Sequence, residues 1–170
     1  DEGLARTLAA TYGTPLYVLD EAHFRARIRA YREALAASHP QTEVAFASKA
    51  NGTLAVLAIA ASEGCLIDVA SEGELRGALA AGVPAAQCHL HGNNKTAQEI
   101  AFAHEVGIGQ IVVDNHEEIE TIARIERESG QRAELILRLA PSVDPRTHQK
   151  ISTGQADTKF GFNIADGSAE

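Results

Sequence analysis

Short apolar runs rich in β-branched residues alternate along this chain with longer stretches of helical periodicity. The apolar runs predict five strands, at residues 44–47, 66–70, 89–91, 110–113 and 133–139. The periodic stretches between them predict four helices, at residues 53–63, 72–81, 97–106 and 116–129. Strands that alternate with helices in this way indicate βαβ units and a parallel sheet.

Punctuation residues support the helix predictions. A glycine follows the last periodic residue of each helix, where a left-handed residue commonly ends the helix: Gly64, Gly82, Gly107 and Gly130. Capping boxes are predicted where Ser71 precedes Glu74 and where Thr96 precedes Glu99, each by three residues. The polar residues after three of the strands are interpreted mainly as helix caps: Ser71, Asn94 and Asn115.

The spacing of the strands predicts the fold class. Strand starts recur about every 21 to 24 residues, the period of a compact (β/α) barrel. We therefore expect an α/β fold, a (β/α)8 TIM-type barrel that occupies residues 43–170. Since a closed barrel needs about eight strands and only five are predicted, we expect the barrel to be truncated after about five strands.

Residues 1–42 have a different character and are predicted to be an N-terminal segment that leads into the barrel. They contain a predicted helix at 4–10, a strand at 16–19 and a basic helix from residue 21 to about residue 37. Four arginines lie on this last helix, and we interpret them as a solvated helix face: Arg25, Arg27, Arg29 and Arg32.

Composition excludes several function classes. The formal net charge of the 170 residues is -8, and no basic run offsets it, so a nucleic acid or an anionic membrane is not expected as a partner. No apolar stretch approaches the roughly 20 residues that span a bilayer, and no secretory signal pattern is present, so we expect a cytoplasmic protein. Cys65 and Cys88 begin apolar runs, which favours buried reduced thiols.

Lys49 is the main catalytic candidate. It follows the apolar strand at 44–47 directly, and the carboxyl ends of parallel strands are where active sites collect in α/β folds. We expect its amine to be partly desolvated there and able to form a Schiff base with an aldehyde such as pyridoxal phosphate. The alternative is a solvated loop lysine without a chemical role.

Two further charged residues lie inside apolar strands. Asp68 interrupts the run at 66–70 and Arg138 the run at 133–139, so each needs a partner of opposite charge, and Lys49 is the expected partner of Asp68. We expect Lys49, Asp68 and Arg138 to form one charged cluster. His89 and His91 face the same side of their strand and could chelate a metal, but supporting ligands are absent from that stretch and no metal site is expected.

Five stretches, taken together, match a known family in order and spacing. They are Tyr12-Gly13-Thr14-Pro15-Leu16-Tyr17-Val18, Ala47-Ser48-Lys49-Ala50-Asn51, Ile67 to Leu75, His91-Gly92-Asn93-Asn94-Lys95, and Thr147-His148 through Ile151-Ser152-Thr153-Gly154 to Lys159-Phe160-Gly161-Phe162. The chain resembles the N-terminal part of fold-type III pyridoxal-phosphate-dependent decarboxylases, which share their barrel with alanine racemase, and most closely the diaminopimelate decarboxylase branch.

The resemblance implies a cofactor, a reaction and site residues. It makes Lys49 the lysine that binds pyridoxal 5'-phosphate covalently, and it places Asp68 and Arg138 near the cofactor ring. It further implies a mobile loop near the active site from Thr147 to Asp157, with Lys159 toward a dimer contact. The implied function is decarboxylation of a small amino acid, meso-diaminopimelate, to L-lysine by a homodimer. The family's C-terminal β domain and later barrel elements are absent, so the 170-residue piece alone is expected to be inactive.

Three alternatives stay open at this point. The first is a related decarboxylase that acts on ornithine, arginine or a carrier-bound amino acid. The second is a non-catalytic pyridoxal-phosphate-binding barrel, although the strand predicted at 16–19 favours the decarboxylases, in which this segment joins the β domain. The third is a metal-dependent barrel hydrolase that uses His89 and His91.

Overall fold

A computed structural model describes residues 2–141, 160–164, 167 and 169 of the chain. The helices are α1 (Glu2–Tyr12), α2 (Glu21–Ser38), α3 (Leu54–Ser62), α4 (Glu72–Ala80), α5 (Ala97–Glu105) and α6 (His116–Ser129). The strands are β1 (Ala45–Ala47), β2 (Leu66–Val69), β3 (Cys88–Leu90), β4 (Gln110–Val113), β5 (Leu135–Leu137), β6 (Leu139–Ala140) and β7 (Phe162–Asn163). The predicted loop from Thr147 to Asp157 and Lys159 lie outside the described residues.

The five predicted strands form one parallel sheet. Their order in space is β1-β2-β3-β4-β5, the order in which they follow along the chain. Each strand reaches the next through a helix, and sequential parallel order is that of a (β/α) barrel rather than of a doubly wound sheet. The expected α/β barrel class is confirmed, and β1 and β5 are the two edges of the sheet.

The core lies between the helices and one face of the sheet. Along each strand alternate residues point toward the helices, and these are fully buried: Ile67, Val69, Cys88, Leu90, Ile111 and Val113. Leu57, Leu75, Ile100 and Ile122 cover them from the four helices. Cys65 and Cys88 are buried free thiols, as expected, and burial raises the pKa of Cys88 to about 11. The residues between these positions, Asp68 and His89 among them, face the opposite side.

The helix ends follow the predicted punctuation with two exceptions. The capping box predicted for Ser71 and Glu74 is only half formed, because the carboxylate of Glu74 accepts from the backbone N–H of Ala70 rather than from that of Ser71. Ser71 and Asn115 cap α4 and α6, and Thr96 forms a complete capping box with Glu99 on α5. The interpretation of Asn94 as a cap is wrong, because Thr96 takes that position. The hydroxyl of Thr96 accepts a hydrogen bond from the backbone N–H of Glu99. In return, the carboxylate of Glu99 accepts one from the backbone N–H of Thr96.

Two expectations about the N-terminal segment are wrong. Residues 16–19 are not a strand, because no other described strand pairs with them. The arginines of α2 are not simply a solvated face either, since Arg29 donates two 2.6 Å hydrogen bonds to Glu63 and Arg25 donates one of 2.8 Å. Arg32 donates to the carbonyl of Glu63, so α2 is held against the end of α3.

The end of the described chain adds a second small sheet. The predicted strand at 133–139 is confirmed only from residue 135, and Leu139–Ala140 pairs in parallel with Phe162–Asn163 instead. Arg138 lies between β5 and β6. Within the described part of the chain, no helix combines the length and the apolar character needed to cross a bilayer.

Candidate active site

A pocket of about 730 Å³ opens at the carboxyl ends of the strands, on the side of the sheet away from the helices. Polar residues from several strand ends line it, together with Phe160: Lys49, Asp68, His91, Asn93 and Arg138. The side chains of Ala47, Val112 and Ile136 form the apolar part of the wall. The three sequence-predicted site residues, Lys49, Asp68 and Arg138, therefore lie around one cavity of a size typical for small-molecule ligands.

Lys49 lies in a single turn of 3-10 helix, Ser48–Ala50, that follows β1 directly. The first residue of this turn, Ser48, is buried and donates a 2.6 Å hydrogen bond to Glu74, which anchors the turn. The expected desolvation of Lys49 is wrong, because its side chain is exposed at the edge of the sheet, where no described strand lies beyond β1. The backbone is thus fixed while the amine stays accessible to a ligand in the pocket.

Asp68 has partners other than the one expected. Its Oδ1 lies 3.4 Å from His91 Nε2 and 3.6 Å from His89 Nδ1, so the expectation that Lys49 neutralises it is wrong. The reason is the register of the sheet, since Asp68 lies directly opposite His89 on β3. Oδ1 is buried and accepts no hydrogen bond from any described residue. The two histidines share one face, as predicted, but they serve one carboxylate, and the described residues include no cluster suited to a metal ion.

Arg138 reaches the pocket from the far edge of the sheet. Its guanidinium lies 4.3 Å from the centre of the Phe160 ring, and its Nη1 lies 3.6 Å from Asp114 Oδ1. A cation over an aromatic face is attracted by the ring's quadrupole. The expected single charged cluster is therefore two clusters that face one pocket: Asp68 with its histidines, and Arg138 with Asp114.

A buried group of charges behind Arg138 was missed by sequence reasoning. The side chains of Lys95, Asp114 and Glu118 are 2%, 1% and 5% exposed. Lys95 Nζ lies 2.9 Å from Glu118 Oε2, and the backbone N–H of Asp114 donates to the same oxygen. Asp114 was visible as a polar strand end, and the spacing from Asn115 to Glu118 is that of a capping residue. Nothing local marked Lys95 as buried.

Comparison with known proteins decides the family. The model of the family described as pyridoxal-dependent decarboxylase, pyridoxal binding domain, matches residues 21–170. The chain belongs to this family. A pyridoxal-binding domain agrees with the placement of a strand-end lysine at the mouth of a barrel, and the resemblance seen in the sequence is confirmed.

Relatives of this pyridoxal-binding domain point to one branch. Diaminopimelate decarboxylase of Bacillus subtilis is 45% identical over 163 residues, which are 96% of this chain and 37% of the relative. The crystal structure of diaminopimelate decarboxylase from M. jannaschii in complex with L-lysine superposes with a TM-score of 0.87 at 38% identity, over 97% of this chain and 39% of that one. The lysine/ornithine decarboxylase of Vibrio vulnificus, solved with putrescine, has a TM-score of 0.71 at 28% identity, over 81% of this chain and 36% of that one. The chain spans about two fifths of the length of these proteins.

The residues around the pocket suit pyridoxal phosphate. An exposed primary amine can bond covalently to an aldehyde, and a guanidinium can pair with a phenolate or phosphate oxygen. The buried Oδ1 of Asp68 still has acceptor capacity, so it can take a hydrogen bond from a ligand. Apolar side chains from β1, β4 and β5 offer a surface for an aromatic ring. The donor set and the cavity thus fit the cofactor that the family name implies.

Proposed function

We propose that the whole protein decarboxylates meso-diaminopimelate to L-lysine and carbon dioxide with pyridoxal phosphate as cofactor. The observation that supports this most strongly is the convergence of Lys49, Asp68 and Arg138 on one pocket, in a chain 45% identical to a diaminopimelate decarboxylase over 96% of its length. The weaker similarity to the lysine/ornithine enzyme favours this substrate over ornithine.

Each proposed site residue has a distinct task. Lys49 would hold the cofactor's aldehyde carbon through Nζ, and its exposure leaves that amine free to exchange with a substrate amine. When bound, pyridoxal phosphate supplies an electron sink for the pair that remains after the α-carboxylate leaves. Arg138 would pair with an anionic oxygen of the cofactor or the substrate.

Asp68 and two histidines form a polar cluster beside the pocket. One carboxylate oxygen of Asp68 lies within 3.6 Å of a ring nitrogen of each histidine. Of the two, only His91 lines the pocket, whereas His89 lies deeper in the sheet with a side chain that is 14% exposed. Asp68 would therefore orient His91 toward a ligand.

Release of carbon dioxide by the whole protein tests the substrate. We expect turnover with meso-diaminopimelate, and turnover with ornithine or arginine lower by about a hundredfold or more, since a site built to bind a distal polar group discriminates strongly against mismatched ones. Equal turnover with ornithine would contradict the proposed substrate while leaving the reaction class intact.

Borohydride reduction of the cofactor-loaded protein, followed by peptide mapping, tests the role of Lys49. We expect the pyridoxyl label on Lys49 alone. Lys49→Ala should abolish turnover and leave the unfolding temperature nearly unchanged, because an exposed side chain contributes little packing. Lys95→Ala is not a suitable control, since that side chain is buried. A label on any other lysine would overturn the assignment.

The organisation of the whole protein is also part of the proposal. Residues 1–42 would lead into the barrel and residues 43–170 would form its first part. The protein would be a cytoplasmic homodimer that binds a small amino acid and neither nucleic acid nor membrane. A molar mass of two chains by light scattering would support the dimer, and a monomeric mass in an active preparation would refute it.

A further inference from the structure

Four charged side chains from three successive strand ends form a continuous network next to the pocket. Lys95 follows β3, Asp114 and Glu118 follow β4, and Arg138 follows β5. Lys95, Asp114 and Glu118 are almost completely buried, and Arg138 is 31% exposed. We call these four residues the charge network. It contains two cations and two anions, which is the balance that buried charges require.

Lys95 is at the inner end of the charge network. Its Nζ lies 2.9 Å from Glu118 Oε2 and 3.7 Å from Asp114 Oδ2, and it donates a hydrogen bond to the carbonyl of Gly92. Asp114 Oδ2 and Glu118 Oε1 are buried and accept no hydrogen bond from any described residue. The single ammonium charge of Lys95 is therefore the main compensation for both carboxylates on the inner side.

Asp114 connects this inner end to the pocket. Its other oxygen, Oδ1, lies 3.6 Å from Arg138 Nη1 and accepts a 3.0 Å hydrogen bond from the backbone N–H of Gly161. Arg138 packs over Phe160, the residue before Gly161, and both Arg138 and Phe160 line the pocket. The carboxylate of Asp114 thus pairs with Arg138 and, through its hydrogen bond from Gly161, also holds the backbone next to Phe160.

The two cations compete for Asp114. Lys95 approaches Oδ2 and Arg138 approaches Oδ1, so the more charge Lys95 supplies, the less strongly Arg138 is drawn inward. Without the charge of Lys95, two buried carboxylates would face Arg138 alone. The guanidinium would then be drawn toward Asp114 and away from the cavity.

We propose that Lys95 is a positioning residue that sets how far Arg138 and Phe160 reach into the pocket, and through them the affinity for pyridoxal phosphate. The inference rests on the proposed function, since it assumes that this pocket binds the cofactor. It assigns to a buried lysine, which touches no pocket surface, a role that is separate from that of Lys49. What Lys95 supplies is charge rather than volume.

Charge rescue tests the proposal. Apoprotein of the whole protein is titrated with pyridoxal phosphate, and binding is followed by fluorescence, a readout independent of turnover. Lys95→Met removes the charge at similar volume and is expected to weaken binding by about tenfold or more. Adding Glu118→Gln restores neutrality, and the double variant is expected to bind within about threefold of the wild type. Arg124→Met, which removes an exposed cation of α6, is the matched control and is expected to change binding by less than about twofold.

The outcomes separate this inference from the proposed function. Wild-type protein that binds no pyridoxal phosphate overturns the proposed function and this inference with it. If Lys95→Met binds pyridoxal phosphate with wild-type affinity, the inference is overturned and the proposed function stands. The same holds if the double variant binds as weakly as Lys95→Met, because Lys95 would then act through packing rather than charge. If Lys95→Met does not fold, the single variant Glu118→Gln tests the proposal instead. In that variant the charge of Lys95 is left with the carboxylate of Asp114, so the pull of Asp114 on Arg138 should change. An affinity for pyridoxal phosphate within about twofold of the wild type overturns the proposal.

Discussion

Gly161 is the residue at which backbone geometry and site chemistry meet most closely. It has a φ of +71°, and a Cβ there would lie 2.5 Å from the carbonyl oxygen of Arg138. Its N–H donates to Asp114. The absence of a side chain therefore lets the chain run close enough to Arg138 for β7 to pair with β6 and for Phe160 to lie under the guanidinium.

Gly161→Ala is expected to destabilise the fold far more than the same change at a comparable glycine. Gly130 ends α6 with a φ of +72° and has open space around it, so Gly130→Ala should cost only the left-handed backbone, about 1 to 2 kcal/mol. Gly161→Ala adds a clash with backbone, for a total of about 2 to 5 kcal/mol. Urea denaturation of both variants measures the difference, and equal losses would show that the contact with Arg138 relaxes without cost.

At the scale of elements, each capping glutamate connects its own βα unit to the preceding one. Glu74, Glu99 and Glu118 occupy the same third position of α4, α5 and α6, where each accepts a backbone N–H near the start of its helix. Glu74 also accepts from Ser48, Glu99 from the backbone of Glu72, and Glu118 pairs with Lys95. The repeated contact keeps successive strand ends in register around the pocket.

Features of the fold and site that depend on neighbouring residues could be predicted from the sequence, whereas contacts between residues distant in the sequence could not. Helices, caps and strands follow from local periodicity, and most were predicted within about two residues. The supposed strand at 16–19 failed because strand formation needs a distant partner. The ion pair of Arg29 with Glu63 and that of Lys95 with Glu118 join residues 34 and 23 positions apart (63 − 29 and 118 − 95), and no local pattern encodes such pairs.

The ion pairs of Arg25 and Arg29 with Glu63 hold α2 against the end of α3, and they make this attachment depend on pH. Hydrogen bonds from Arg29 and Arg25 lower the pKa of Glu63 to about 2. A carboxyl with a lowered folded-state pKa stabilises the fold above its unfolded value, about 4.3, and that stabilisation is lost as the pH falls toward 2.

Thermal unfolding between pH 6 and 2.5 checks this dependence. We expect wild-type stability to fall below about pH 4.3, and Glu63→Gln to be less stable at pH 6 with a flatter profile below that point. Glu21→Gln is the matched control, because Glu21 is exposed and its ion pair among the described residues is with Arg25 of the same helix. A profile of equal slope in Glu63→Gln and the wild type would show that other carboxylates cause the acid loss.

At the scale of the whole molecule, the five-stranded sheet has two open edges among the described residues. In the described part of the chain no strand lies outside β1 or β5. The outer strand β5 and the adjoining β6 expose large apolar side chains: Leu135, Ile136, Leu137 and Leu139. An exposed apolar strand edge is a template for pairing with another chain. The pocket and these exposed apolar side chains therefore belong to the same five-stranded sheet and the strand that adjoins it.

The 170-residue chain by itself is therefore expected to self-associate through β5. A lysine on an edge strand opposes edge-to-edge pairing, so Leu137→Lys, at a position 52% exposed, should lower the apparent molar mass seen by light scattering at micromolar concentrations. Leu4→Lys on α1 is the matched control, because it makes the same change in net charge at a side chain that is 57% exposed and belongs to a helix rather than to the edge strand. If both variants lower the mass equally, net charge or general hydrophobicity drives association. If only Leu137→Lys does so, the open edge of the barrel segment is the surface that pairs.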